Sequence, residues 1–200
     1  MNQYFTNDPD LAHDEHSFDF TLAGHNLHFT SDNGVFSKHT VDYGSRVLIA
    51  EVATAAPQGR LLDVGCGWGP IGLSLAKANP DLAVTMSDVN ERALALARRN
   101  AEANAITNVT VLTSSVYEEI EGTFDTIVTN PPIRAGKDIV SGILSGAFAH
   151  LNAGGQLYAV LQKKQGAPSA KKLMAATFGN AEVVKKDKGY YILRAQKANA

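Results

Sequence analysis

The sequence is poor in the features that export a protein or tie it together covalently. One cysteine, Cys66, occurs in 200 residues, so no internal disulfide can form and a reducing compartment is implied. No apolar run is long enough to cross a bilayer, and no basic, apolar leader opens the chain. A cytoplasmic protein with no membrane attachment is therefore expected. The six histidines stand at no metal-ligand spacing with cysteine or acids, so no metal is expected. Bulk charge is also slight, with a formal net charge of -2, and so is silent on nucleic acid. Repeats, low-complexity tracts and internal linkers are missing.

What is present is a 44% hydrophobic chain, enough for one sizeable core and one domain. Charge is unevenly spread along it. The first 32 residues hold six acids and no Lys or Arg, whereas residues 163–197 hold nine Lys/Arg and two acids. Such asymmetry points to a basic face near the C-terminal end.

Residues 1–17 are polar and acidic and are expected to form a flexible N-terminus. Phe18, Phe20 and Leu22 alternate with polar residues, as do Leu27 and Phe29, which predicts a β-hairpin turning at Gly24-His25-Asn26. Helical spacing covers Val41 to Ala55. Then strands and helices alternate. Strands are expected at 60–64, 82–87, 109–112, 124–129 and 156–161. Helices are expected up to about Ala78, from Asn90 to about Ala103, over 139–151 and over 167–178, with Ala153-Gly154-Gly155 closing the third. A hairpin over 181–194 ends the chain. This rhythm predicts an α/β fold with a mostly parallel sheet and helices on both faces, extended by an antiparallel C-terminal edge strand.

Two stretches carry chemistry. Asp63-Val64-Gly65-Cys66-Gly67-Trp68-Gly69-Pro70-Ile71-Gly72 joins a buried strand to a helix through glycines, which lets backbone N–H groups approach a ligand. Read as Gly67, Gly69 and Gly72, it fits a dinucleotide fingerprint. Read as Gly65, Gly67 and Gly69 after Asp63, it fits a second kind of nucleoside ligand. Asp88 ends the next strand, where an acid accepts hydrogen bonds from ribose hydroxyls. Cys66 reads as a small packed residue, not a nucleophile. The other stretch, Asn130-Pro131-Pro132-Ile133, follows the strand over 124–129. A planar amine whose lone pair is delocalised must be gripped through its N–H groups before it can attack. Asn130 offers a side-chain carbonyl, Pro131 a backbone one, and the prolines stiffen the loop. A hydride transfer has no use for this motif, so it selects the second glycine register.

Asp63 to Gly69 resembles the first motif of class I S-adenosylmethionine-dependent methyltransferases. That resemblance implies a Rossmann-like seven-stranded sheet. It also implies a cofactor site built from Asp63, Gly65, Cys66, Gly67, Gly69, Asp88, Val89, Ser115, Asn130 and Phe36. Asn130-Pro131-Pro132-Ile133 resembles the motif of amino-group methyltransferases, with Ile133 where many have an aromatic. Gly34-Val35-Phe36-Ser37, Val41-Asp42-Tyr43-Gly44-Ser45 and Asn130 to Lys137 are together similar to the 16S ribosomal RNA guanine-N2 methyltransferases of the RsmC type, in their short, single-domain bacterial form. The similarity covers about Phe18 to Arg194. It implies one methyltransferase domain over 18–197 and methylation of a guanine N2 amine in ribosomal RNA or the small ribosomal subunit, by a monomer. Arg134, Lys137, Lys163 and Lys164 are the candidate RNA contacts. The alternatives are methylation of a protein glutamine or a small-molecule amine, or an RNA-binding assembly factor without catalysis.

Overall fold

The computed structural model describes residues 5–200. The first four residues of the stretch expected to be flexible lie outside the described residues. Two strands, β1 (His16–Leu22) and β2 (His25–Ser31), pair antiparallel as the expected hairpin. Its turn is Ala23-Gly24, with φ of 48° and 79°, one step earlier than Gly24–Asn26. A two-residue turn with both residues left-handed matches the twist of the strands it joins, and this draws His25 and Asn26 into β2. Helix α1 (Tyr43–Ala55) follows, capped by Asp42, whose carboxylate accepts the Ser45 N–H.

The alternating part comprises β3 (Arg60–Val64), α2 (Pro70–Ala78), β4 (Ala83–Asp88), α3 (Glu91–Ala103), β5 (Val109–Thr113), β6 (Phe124–Thr129), α4 (Lys137–Gly146), β7 (Leu151–Gln162), α5 (Ala167–Phe178), β8 (Glu182–Asp187) and β9 (Tyr190–Gln196). Seven strands form one sheet in the order β5-β4-β3-β6-β7-β9-β8. The strands from β3 to β7 are parallel, and β9 runs antiparallel between β7 and β8. The sheet reverses its order of winding at β3, and crevices form at such points beyond the carboxyl ends of the strands.

One expected boundary is corrected. The helix over 139–151 stops at Gly146, and Leu151 to Gly155 belong to β7 instead of closing a helix. The glycines here make an irregularity in the β6–β7 register between Phe124 and Thr126. Gly154 has φ of 77°, and a β-carbon on Gly155 would lie 2.9 Å from the Asn152 carbonyl oxygen and 3.1 Å from that of Asp125. Glycine thus marks a bulge with close backbone approach, not a helix stop.

Side chains alternate across the sheet, so Leu61 and Leu62 enter different cores. One core joins the hairpin, α1, α2 and α3. The other joins α4 and α5. Within the first, Trp68 of the glycine loop is buried against Phe18 and Phe29 of the hairpin, with ring centroids 5.8 and 5.1 Å away in edge-on geometry. The hairpin is also tied to α3 by two amides. Asn100 accepts the Thr30 N–H (2.8 Å) and donates to the Thr30 carbonyl (3.0 Å), and Asn104 does both to His28 at 2.8 Å. Asn100 also donates to the Trp68 carbonyl at 2.9 Å. No helix among the described residues is long and apolar enough to cross a membrane.

At Gly72, α2 packs directly on Met86 of β4. A β-carbon there would lie 2.7 Å from Met86 Cγ and 2.8 Å from its Sδ, and Met86 is fully buried. Gly72→Ala is therefore expected to lower unfolding free energy by about 1–2 kcal/mol, overpacking outweighing the helix propensity of alanine. A urea midpoint equal to or above that of the unmodified chain would show that the helix can shift to admit the methyl.

Candidate active site

The carboxyl ends of β3, β4, β5 and β6 enclose a cavity of about 320 Å³, a size within the usual range for small-molecule sites. Its floor is the turn after β3. Gly65 and Gly67 have φ of 72° and 56°, a conformation that side chains resist. Gly65 and Cys66 both donate N–H groups to the Ser87 carbonyl, at 2.8 and 2.9 Å. Gly67 donates to Asp88 Oδ2 at 2.8 Å. The loop is thus bolted to the end of β4. A β-carbon on Gly67 would meet nothing within 4 Å, and one on Gly65 only Pro132 Cδ at 4.0 Å. Side chains here would occupy the space left for a ligand.

Asp88 lines the cavity. Its other oxygen accepts the Asn90 N–H at 2.9 Å. Burial pushes this carboxyl above the ordinary range, while the backbone N–H groups of Asn90, Gly67 and Val89 pull it back. Each oxygen thus holds one resolved N–H, from Gly67 and from Asn90, and a carboxylate with about four lone-pair directions keeps acceptor capacity for ribose hydroxyls. The glycine floor, this acid and the apolar walls Val89, Val116 and Ile143 fit S-adenosylmethionine, the group the sequence resemblance implies.

Asp63 lies elsewhere. It is fully buried beneath the loop, not on the cavity wall. Its Oδ2 accepts the Gly72 N–H at 2.9 Å, and its Oδ1 has no hydrogen-bond partner among the described residues. Burial raises its pKa to about 7, the Gly72 bond opposing and the Asp88 charge adding. In the unfolded chain it titrates near 3.8. Between these values the folded state binds the proton and the unfolded state does not, so stability from this group falls as pH rises through the window and is level above it. Comparing Asp63→Asn with the unmodified chain isolates the effect. The unmodified chain should lose stability relative to the variant from about pH 4 to 7. A difference independent of pH would mean that Asp63 stays ionised. Burial likewise pushes the Cys66 thiol up, and the Asp88 and Asp63 carboxylates push it further. It stays a thiol, as befits a packed residue.

Asn130, the residue after β6, lines another wall of the cavity. Its Nδ2 donates to Asp42 Oδ2 at 3.1 Å and to Ser45 Oγ at 3.0 Å. Both amide hydrogens are used, which fixes the flip of the side chain and leaves Oδ1 as its acceptor. Asp42 therefore caps α1 and holds Asn130 with the same oxygen. Sequence reasoning missed this pair of partners, since they precede Asn130 by more than eighty residues. The signals were the motif Val41 to Ser45, already singled out by its family resemblance, and within it an Asp at an N-cap with Ser three residues on. Pro131 and Pro132 continue the wall, and Phe36, Cys66, Val89 and Ser115 also line the cavity. Phe36 is exposed at 40%, and its carbonyl accepts the Trp68 indole N–H at 2.7 Å.

Other candidate residues stand apart from the lining. Gly69 is the cap of α2. Ile133 starts a short 3-10 turn and packs against the α4–α5 core. Arg134 and Lys137 are exposed just beyond it. Lys163 and Lys164 are exposed in the turn after β7, and the Lys163 N–H donates to the Gly189 carbonyl at 2.9 Å. That bond joins this turn to the β8–β9 turn, which carries Lys188, with Lys185 and Lys186 near the end of β8. Among the described residues, no cluster of His, Cys, Asp and Glu could hold a metal ion.

Known proteins resemble this chain in sequence and fold. A protein of Bacillus subtilis (strain 168) named uncharacterized protein YbxB is 47% identical over 97% of this chain and 98% of its own length. Ribosomal RNA small subunit methyltransferase C of Erwinia tasmaniensis is 35% identical over 84% of this chain and 48% of its own. The solved structure of T. thermophilus RsmC, a 16S rRNA N2-guanine methyltransferase in complex with AdoMet and guanosine, superimposes with a TM-score of 0.84 and 27% identity. It covers 95% of this chain and 52% of that one. The chain thus spans about half the length of the ribosomal relatives it matches. The profile of the methyltransferase small domain matches residues 26–194, from β2 through the glycine loop and Asn130 to β9, and the chain belongs to that family.

Proposed function

We propose that this chain transfers a methyl group from S-adenosylmethionine to the exocyclic N2 amine of a guanine in small-subunit ribosomal RNA. The observation that carries the reading is the fixed flip of Asn130. With Nδ2 committed to Asp42 and Ser45, Oδ1 is an acceptor held at the cavity wall, beside the backbone of Pro131. Two such acceptors grip an N–H₂ group and aim its nitrogen. As the amine took the methyl, the methyl–sulfur bond would break to leave a thioether, the positive charge developing on the nitrogen would be stabilised by these oriented dipoles, and the methylated amine would release one proton to water. The cofactor, when bound, supplies an activated methyl on a sulfonium. The chain supplies position: Asp88 for the ribose, Gly65 and Gly67 for close approach, and Asn130 with Pro131 for the acceptor. No side chain is asked to act as a nucleophile.

The carriage of RNA is assigned to the carboxyl edge of the sheet. Lys163 and Lys164 share that edge with Lys185, Lys186 and Lys188, because the Lys163–Gly189 bond brings the two turns together. Exposed lysines so grouped neutralise phosphates. The target base must lie in a single strand or leave its stack to enter the cavity. The ribosomal relatives named above favour rRNA over other amine-bearing acceptors.

The test uses the purified chain, methyl-labelled S-adenosylmethionine and small-subunit RNA, both free and assembled. Label is expected in one guanine as N2-methylguanosine after nuclease digestion and mass mapping. Label that survives ribonuclease and stays with protein would overturn the RNA reading.

A further inference from the structure

The segment before β1 is polar and unpatterned, yet it is laid along α3 with Phe5 at the cavity. Asn7 is its principal fastening. Its Nδ2 donates to the Val89 carbonyl at 2.9 Å and its Oδ1 accepts the Glu91 N–H at 2.8 Å. One amide thus grips both sides of the turn that follows Asp88. Four residues on, the Leu11 carbonyl accepts Arg92 Nη2 at 2.6 Å. Leu11 also packs over Gly34, where a β-carbon would lie 2.7 Å from Leu11 Cδ2. Four residues further, Glu15 pairs with both terminal nitrogens of Arg99 at 2.6 and 3.0 Å. The segment is fastened to the start and middle of α3 at regular intervals.

Phe5 stands two residues before Asn7, half-buried, and lines the cavity. Two residues of chain reach at most about 7 Å. Phe5 is thereby confined to the end of the cavity beside Val89, between the carboxyl ends of β4 and β5. A nucleoside whose ribose is held by Asp88 places its base at that end. The rest of that end is Val89, Val116, Ser114 and Ser115. None of these is a flat surface, and neither serine is an acid that could take the amine of the base.

We propose that Phe5, fastened by Asn7, is a cofactor-binding residue that covers the adenine ring of S-adenosylmethionine. Every base has a π-face, and an aromatic side chain against it contributes without reading hydrogen-bond edges. The proposal rests on the cofactor reading above. It makes the first described residues of the chain part of the binding site.

Calorimetric titration tests it with two ligands: S-adenosylhomocysteine, and 5′-methylthioadenosine, which keeps the adenosine and lacks the amino-acid end. Phe5→Ala is expected to weaken both by the same factor, about tenfold. Phe5→Trp should bind both as the unmodified chain does, and Phe5→Leu should fail like alanine, since an aliphatic side chain can anchor the segment but cannot stack. Asn7→Ala should weaken both ligands in the same direction. Affinities within twofold for Phe5→Ala, or Phe5→Leu equal to the unmodified chain, overturn the stacking role alone. An unmodified chain that binds neither ligand overturns the cofactor reading and the roof with it.

Discussion

Asn130→Ala is expected to lower methyl transfer by about 10²–10³-fold, the usual cost of removing a preorganised dipole from a site of developing charge. The affinity for S-adenosylhomocysteine should hardly change, because Asp88 and the glycine floor remain. The partition between turnover and binding is the readout, since a general collapse of the cavity would damage both. The partners of Asn130 supply a graded series. Ser45→Ala keeps the Asp42 cap on α1 and removes one of the two bonds that fix the amide. Asp42→Ala removes the other and also the cap, at about 1 kcal/mol of stability. Both should lower kcat by less than Asn130→Ala and leave the KM for the cofactor in place. Undiminished turnover in Asn130→Ala would remove the residue from the reaction and leave Asp42 a helix cap only.

Asp88→Ala is expected to raise the dissociation constant of the cofactor by about 100-fold or more. Hydrogen bonds from neutral donors to a charged acceptor contribute about 1.5–3 kcal/mol each, and two ribose hydroxyls are involved. The same carboxylate holds the Gly67 and Asn90 N–H groups, so its loss also frees the turn that forms the floor. Burial makes this acid take up a proton more readily than an exposed aspartate. Cofactor affinity should accordingly weaken on acidification at a higher pH than an exposed carboxylate would give, and the dependence should vanish in the variant. Titration of both proteins across the acid range checks it. Equal affinity of Asp88→Ala and the unmodified chain would mean that the ribose is held elsewhere.

Much of the alternating sheet was legible because parallel strands buried on both faces read as unbroken apolar runs. Leu61-Leu62 and Ile127-Val128 are the apolar centres of two such strands, each ended by a short polar or turn signal, and both strands lie where expected. The glycine loop was legible for a related reason. Left-handed backbone at Gly65 and Gly67 admits few other residues, so the geometry writes itself into composition. Two things were not. The start of β7 looked like a helix end because a glycine pair serves equally as stop and as bulge, and only the approach of the Asn152 and Asp125 carbonyls to Gly155 separates them. The fastening of Asn7, and that of Asn130 by Asp42, consist of one or two side-chain bonds across long sequence separations. They have no period, and a local pattern cannot hold them.

The two amides of α3 that pair with Thr30 and His28 also decide how the hairpin meets other molecules. A two-stranded ribbon ordinarily offers an open row of N–H and C=O groups, a template on which a second strand can grow. Here Asn100 and Asn104, one helical turn apart, satisfy both groups of two alternate residues of β2. Their side chains imitate a neighbouring strand. The ribbon that braces Trp68 is thus closed to a further strand at His28 and Thr30 of β2.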